Sequence, residues 1–226
     1  QSWGEGDGRV AVYSLERGKL ELVVRGLKKI KSKLAGHLEP ITLSNIMAVS
    51  GRQYDYAGAA VSEQCYANIK NDLEKIVAVG AAVRIFNKII KADQPDREIF
   101  ELLKDFLDVL AGAANGKISF ELLSCLFIFK LLVKLGYGAE LYQCVNCRVK
   151  ILPADLKFDL ERGGLVGAEC QSKIGMPNSM TISENLVKLL RLAEKNNFYK
   201  LSKIKINNEE AGQAKNIISL FLNYYA

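Results

Sequence analysis

The chain has 226 residues, 49% of them hydrophobic and 25% charged, with 31 Lys and Arg against 25 Asp and Glu for a formal net charge of +6. That composition supports a buried core and excludes a chain disordered throughout. The cationic surplus admits a polyanionic partner without requiring one. Five cysteines, an odd number that includes one Cys-x-x-Cys pair, point to reduced thiols rather than a disulfide scaffold.

In chain order, the first third reads as strands. Val10 to Leu15 is a short apolar run, Glu16-Arg17-Gly18 supplies a turn, and Lys19 to Arg25 alternates. Leu20, Leu22 and Val24 face one way, and Lys19, Glu21, Val23 and Arg25 the other. Ile41 to Val49 is a candidate third strand, and Arg52 to Tyr56 its partner after Gly51. Short strands joined by glycine turns suggest a small barrel. If it is an OB-fold, its first strand is expected before Gln1.

The pattern changes near Tyr66. From Asn68 to about Lys91, Ile69, Leu73, Ile76, Val77, Gly80 and Val83 fall at helical spacing. Asp93-Gln94-Pro95-Asp96 breaks that helix and starts another, whose stripe is Ile99, Leu102, Leu103, Phe106, Leu107 and Leu110, ended by Gly112 and Asn115-Gly116. Phe120 to Leu135 is apolar on most sides and is placed at the centre of a helical body. Its Lys130 and Lys134 and its length exclude a bilayer span. No secretory signal is visible, so the expectation is a cytoplasmic protein without membrane contact. Gln143 to Pro177 loses periodicity and carries cysteines and glycines. Ser183 caps a helix to about Lys195, and Asn207 with Glu210 resembles a capping box for a last helix. The expected class is α+β, with residues 1–65 a small barrel and residues 66–226 a helical domain. A small cysteine-containing insertion is expected at about 143–177.

Arg25, Lys28, Lys29, Lys31 and Lys33 stand within one short run without an acid. Each cation set against a phosphate releases a condensed counterion, so such a cluster gives salt-sensitive, sequence-tolerant affinity. Arg17 and Lys19, at the hairpin, extend the candidate patch. Trp3, Tyr13, Tyr54 and Tyr56 are candidate platforms for stacked bases. The residues alone leave three readings open: a DNA binder, an RNA-binding module of the same kind, and a helical interaction protein whose basic face is incidental.

The run Arg25 to Pro40, RGLKKIKSKLAGHLEP, resembles the signature of the RecO family, in which a strand-ending Arg-Gly leads through a Lys/Arg-rich loop into a Gly-His-x-Glu-Pro-like segment, here Gly36-His37-Leu38-Glu39-Pro40. Gly4-Glu5-Gly6-Asp7 resembles the turn after that family's first strand, and Tyr13-Ser14, Gly18-Lys19-Leu20 and Gly51-Arg52 fit in order. The resemblance covers essentially the whole chain. It implies an N-terminal OB-fold barrel, a helical domain and a cysteine-bearing knob. It also implies a recombination mediator that binds single- and double-stranded DNA and anneals complementary strands. Such a mediator, with RecR and often RecF, helps load RecA on gaps coated by single-stranded-DNA-binding protein. The family's basic surface maps onto Arg25, Lys28, Lys29, Lys31 and Lys33, with Arg17 and Lys19 beside them, and the expected location is the nucleoid.

In that family Cys144-Val145-Asn146-Cys147 would open a four-cysteine zinc site whose second half follows a Gly-Gly pair. Here Gly163-Gly164 is followed by Gly167-Ala168-Glu169-Cys170. The fourth ligand position is therefore Gly167, leaving Cys144, Cys147 and Cys170. Structural zinc sites are closed and four-coordinate, so the expectation is a knob held by packing, with no bound cofactor. The single histidine, His37, has no convincing nucleophile near it, and no Walker-type loop is present. No enzymatic activity is expected.

Overall fold

The computed structural model describes residues 5–113, 118–151 and 156–225. They divide into two compact units. One holds the described residues up to 71 together with 90–100, the other holds 72–89 and those from 101 onward.

The first unit is built on β1 (Gly8–Ser14), β2 (Gly18–Val24), β3 (Leu43–Ser50) and β4 (Asp55–Gln64), followed by the short α1 (Ala67–Lys70). The sheet order is β1-β2-β4-β3. β1 and β2 form an antiparallel hairpin whose turn closes on Gly18 at φ +69°, a left-handed conformation that glycine adopts without a Cβ penalty. β2 meets β4 in parallel over two residue pairs, and β3 runs antiparallel to β4 with two register shifts. Among the described strands the sheet is open, with β1 and β3 at its edges, so these four strands do not by themselves confirm the expected barrel.

Leu20, Leu22 and Val24 are buried as their alternation predicts, with Leu38, Ala57 and Ala60 completing the core. Each such aliphatic side chain contributes roughly 1.5–3 kcal/mol on burial. Val23, expected on the outer face, is only 4% exposed. Glu21 and Arg25 on the same face are exposed, so the departure is local to Val23. The segment from Ile90 to Phe100 meets the hairpin near its turn: Asp93 N–H donates to the Lys19 carbonyl at 3.0 Å, and Tyr13 stacks on Phe100 with 6.5 Å between ring centroids.

In the second unit, α2 (Leu73–Ile89), α3 (Arg97–Gly112, from Glu101) and α4 (Phe120–Lys134) surround a phenylalanine cluster. Phe127 of α4 lies 4.6 Å from Phe106, 6.1 Å from Phe86 and 6.3 Å from Phe198, centroid to centroid. α4 is buried nearly all round, as its unbroken apolar run predicts. After it come β5 (Lys157–Asp159), β6 (Gly164–Val166), α5 (Ala168–Gln171) and β7 (Ser179–Thr181), then α6 (Glu184–Lys195), α7 (Phe198–Leu201) and α8 (Asn208–Tyr225). β6-β5-β7 form a small antiparallel sheet, so this unit is not all-helical. Three-residue strands carry too little periodicity to be read from the sequence.

The single helix expected from Asn68 is two, because Asp72 interrupts it. Its carboxylate accepts the N–H groups of Glu74 at 3.0 Å and Lys75 at 3.1 Å and caps a new start. Asp96 and Ser183 cap α3 and α6 in the same way. Asn207 accepts the Glu210 N–H at 2.7 Å, but the Glu210 carboxylate takes Asn185 instead of closing a reciprocal box. The expected stop at Asn115-Gly116, and Trp3, lie outside the described residues. Among the described residues no helix is long and apolar enough to cross a membrane.

Candidate nucleic-acid interface and cysteine cluster

The chain leaves β2 at Val24 and enters the basic loop. Gly26 takes φ +64°, and its N–H donates to Asp7 Oδ1 at 2.7 Å, while Lys28 N–H donates to the Gly6 carbonyl at 2.8 Å. The Gly-Asp turn at the front of the chain therefore holds the start of the loop. Leu27, Leu34 and Leu38 pack against the sheet core. A Cβ on Gly8 would stand 2.6 Å from Leu27 Cδ2, so a larger residue there would displace the end of the Leu27 side chain. His37 Nδ1 accepts the Ser62 N–H at 3.2 Å and lies 3.0 Å from its hydroxyl. The His37 carbonyl accepts the Ser44 hydroxyl at 2.6 Å. Lys70 binds Glu39 at 3.0 Å and Thr42 at 2.9 Å. The lone histidine thus pins the loop to β3 and β4.

With its leucines turned in, the loop turns its cations out. Arg25, Lys28, Lys29, Lys31 and Lys33 are all exposed. Among the described residues none of the five forms an ion pair with a carboxylate. The Arg25 guanidinium lies 5.0 Å from the Tyr56 ring centroid, a cation–π contact that orients it without neutralising it. The methylenes of Lys29 lie over Gly6, where a Cβ would stand 3.2 Å from them, leaving the ammonium to solvent.

Arg17 and Lys19 are placed differently. Arg17 pairs with Asp55 at 2.5 Å and Asp93 at 3.7 Å; its hydrogen bond and charge hold the Asp55 carboxyl below its ordinary value despite some desolvation. Lys19 is half-buried and donates to the Ile90 carbonyl at 3.3 Å. Both serve contacts within the unit, so neither joins the loop as an unpaired cation. Tyr13 is likewise a packing residue, its hydroxyl donating to the Asp96 carbonyl at 3.3 Å, and burial, with Asp96 beside it, raises its phenol.

The sulfurs of Cys144, Cys147 and Cys170 lie within 4.8 Å of one another, two buried and one exposed. A tight turn carries the first two: Arg148 N–H donates to the Cys144 carbonyl at 2.9 Å and Cys144 N–H to the Val149 carbonyl at 2.8 Å, with Arg148 at φ +62°. Val145 N–H donates to the Leu165 carbonyl at 2.9 Å and fixes the turn on β6. A Cβ on Gly164 would fall 2.6 Å from the Glu140 carbonyl, so only glycine permits that approach. Burial opposes ionisation of Cys144, yet the N–H groups of Cys147, Gly167 and Asn146 and the Cys147 thiol outweigh it and draw Cys144 down to about 7. Asn146 Nδ2 donates to Cys170 Sγ at 3.4 Å. Gly167, with no side chain, stands where a fourth ligand would. The donor set does not fit a closed four-thiolate zinc site.

Two family profiles account for nearly the whole chain. "Recombination protein O N terminal" matches residues 1–62 and "Recombination protein O C terminal" residues 70–226. The chain belongs to the RecO family. Among curated relatives, a DNA repair protein RecO of Dehalococcoides mccartyi is similar at 28% identity over 207 residues, covering 91% of this chain and 79% of the relative. The RecO of Syntrophus aciditrophicus is 26% identical over 227 residues, covering 99% and 86%. That of Desulforamulus reducens is 24% identical over 221 residues, covering 98% and 84%.

This RecO-family loop also carries an exposed apolar residue that its basic pattern does not single out. Ile30 is 105% exposed, an apolar side chain held in water between Lys29 and Lys31. Sequence alone does not separate it from Leu27, Leu34 and Leu38, which pack against the sheet core.

Proposed function

We propose that this RecO-family chain is a DNA-binding mediator of recombination and repair. It holds single- and double-stranded DNA on the loop carrying Arg25, Lys28, Lys29, Lys31 and Lys33, and it anneals complementary strands. With RecR and RecF, it works beside single-stranded-DNA-binding protein to load RecA in the bacterial cytoplasm and at the nucleoid. The open four-stranded sheet serves as an OB-type module that presents the loop. The observation that carries this reading is the segregation within the loop. Leu27, Leu34 and Leu38 anchor it to the core, and its cations stand outside without carboxylate partners among the described residues.

No covalent chemistry is needed for annealing. Two polyanions approach more readily when a fixed cationic surface lowers their repulsion, an effect that weakens as salt screens it. Ile30, exposed among lysines, supplies an apolar contact to the faces of unstacked bases. We therefore read the chain as non-enzymatic.

The experiment is annealing of complementary DNA oligonucleotides, alongside RNA of equal length, with the intact chain and with Lys28, Lys29, Lys31 and Lys33 changed together to Gln. The expected result is acceleration of DNA annealing by the intact chain, lost in the variant. A consistent preference for RNA would replace the DNA reading with the RNA-binding one. Acceleration that survives the four substitutions would remove the loop from the account and favour a helical interaction protein.

A further inference from the structure

Acidic residues are missing from a second basic stretch of the chain. Lys195 to Asn208, KNNFYKLSKIKINN, holds four lysines and no Asp or Glu. It joins α6 to α8 and contains α7. Its apolar side chains fix it to the helical unit: Phe198 and Leu201 are buried, and Phe198 stands 5.6 Å from Phe106 and 6.3 Å from Phe127, centroid to centroid. Its backbone is closed on itself. Lys200 N–H donates to Asn197 Oδ1 at 3.1 Å, Ser202 N–H to the Phe198 carbonyl at 2.8 Å and Ile204 N–H to the Leu201 carbonyl at 3.1 Å. Beyond Ser202 the burial alternates, with Ile204 and Ile206 half-buried and Lys203 and Lys205 exposed.

The carbonyls of Ala193 and Asn196, at the end of α6, are satisfied by Lys130, so the surface lysines are not spent on capping that helix. Lys195 has an acid beside it: its ammonium lies 4.9 Å from the Tyr142 ring centroid, and the Tyr142 hydroxyl donates to Glu194 at 3.2 Å. Lys200, Lys203 and Lys205 are placed differently. All three are exposed, and among the described residues none pairs with a carboxylate. Tyr199, 60% exposed, stands with them, and the Lys203 ammonium lies 3.7 Å from its ring centroid. A fixed backbone, an exposed ring and three unpaired cations combine the two contacts by which proteins hold single strands, charge for phosphates and an aromatic face for bases. A carboxylate-rich peptide would engage the lysines but offers no flat face to the ring.

We infer that Tyr199, Lys200, Lys203 and Lys205 form a second single-strand contact, carried by the helical unit and separate in sequence from the loop at residues 25–33. The lysines meet phosphates, and Tyr199 stacks on a base. This contact rests on the DNA-binding reading given above and extends it: annealing brings two polyanions together, and a chain with two such surfaces holds one strand on each.

The test uses the full chain and a fluorescein-labelled oligothymidine, with anisotropy read across a potassium chloride series. Lys200, Lys203 and Lys205 are changed together to Gln, both in the unaltered chain and in the variant whose Lys28, Lys29, Lys31 and Lys33 are Gln. The expected result is residual binding by the loop variant, removed by the three further substitutions. In the otherwise unaltered chain those three should make the log-log salt slope shallower by about 2, the sum of roughly 0.7 for each lysine. Tyr199→Ala should weaken binding about five-fold or more, and Tyr199→Phe should leave it unchanged. Unchanged affinity and slope after loss of Lys200, Lys203 and Lys205 overturns this contact and leaves the loop in place. Failure of the unaltered chain to bind oligothymidine overturns the loop reading and this one together. Displacement by an oligoglutamate of equal charge as effective as by unlabelled oligothymidine, with Tyr199→Ala without effect, overturns the second strand in favour of an acidic protein segment.

Discussion

Cys125 and Cys65 are the same residue type in opposite circumstances. Cys125 lies within α4, and burial, with the Glu121 carboxylate adding to it, pushes its thiol up to about 11 from the ordinary 9.0 despite nearby Lys215. Cys65 is exposed. Iodoacetamide at pH 8, read by mass spectrometry, should label Cys65 within minutes and leave Cys125 unmodified until denaturant is added. Equal labelling of the two in the folded chain would show that α4 opens readily. The sign of the linkage follows. Between pH 9 and about 11 the unfolded chain releases the Cys125 proton and the folded chain keeps it. The unfolded state then binds fewer protons, and stability falls as pH rises through that window. Asp159 makes a second residue-scale case. Its carboxylate accepts the N–H groups of Glu161 and Arg162 at 3.0 Å each and pairs with the Arg162 side chain at 2.6 Å. Asp159→Ala should cost about 1–3 kcal/mol in a urea titration, and a loss below about 0.5 kcal/mol would mean that water replaces those bonds. The cations of the candidate interface were legible at this scale, but their availability was not. Arg17 looks like its neighbours in sequence. Only the fold brings Asp55 and Asp93 to it.

At the scale of elements, the helices and the hairpin were readable because their signals are local. Ser119, Ser183 and Asp96 each sit one residue before a helix and accept its early N–H groups. Leu20, Leu22 and Val24 alternate as a buried strand face should. What escaped was set by distant partners: the burial of Val23, the break at Asp72, the three short strands around the cysteines. Lys130 is an instructive case. It marks α4 as something other than a membrane span, and its purpose emerges only in three dimensions. Its ammonium donates to the Ala193 carbonyl at 2.7 Å and the Asn196 carbonyl at 2.9 Å, satisfying the end of α6, and burial lowers its proton affinity. Lys130→Met keeps the length of the side chain and removes those bonds. It should destabilise by about 1–3 kcal/mol, read as a lower urea midpoint at unchanged slope. An unchanged midpoint would show that the α6 terminus is satisfied by other means.

At the scale of the whole molecule, the chain divides its labour between a sheet unit that displays charge and a helical unit centred on Phe127. The division between strand-like and helical sequence was visible near Tyr66. The return of residues 90–100 to the first unit was not, because a turn, a proline and the first turn of a helix carry no sign of which surface they will meet. The knob's cysteines were found by spacing. Their convergence to within 4.8 Å depended on pairing between residues 140–151 and β6 that no periodicity announces. The account as a whole stands on phosphate capture by the loop at residues 25–33. The most direct test is fluorescence anisotropy of a labelled single-stranded DNA across a potassium chloride series. The intact chain is compared with the variant in which Lys28, Lys29, Lys31 and Lys33 are Gln. The expected result is weaker binding by the variant, with a log-log salt slope shallower by about 0.7 for each of those lysines that meets a phosphate. Superimposable slopes for the two proteins would contradict it.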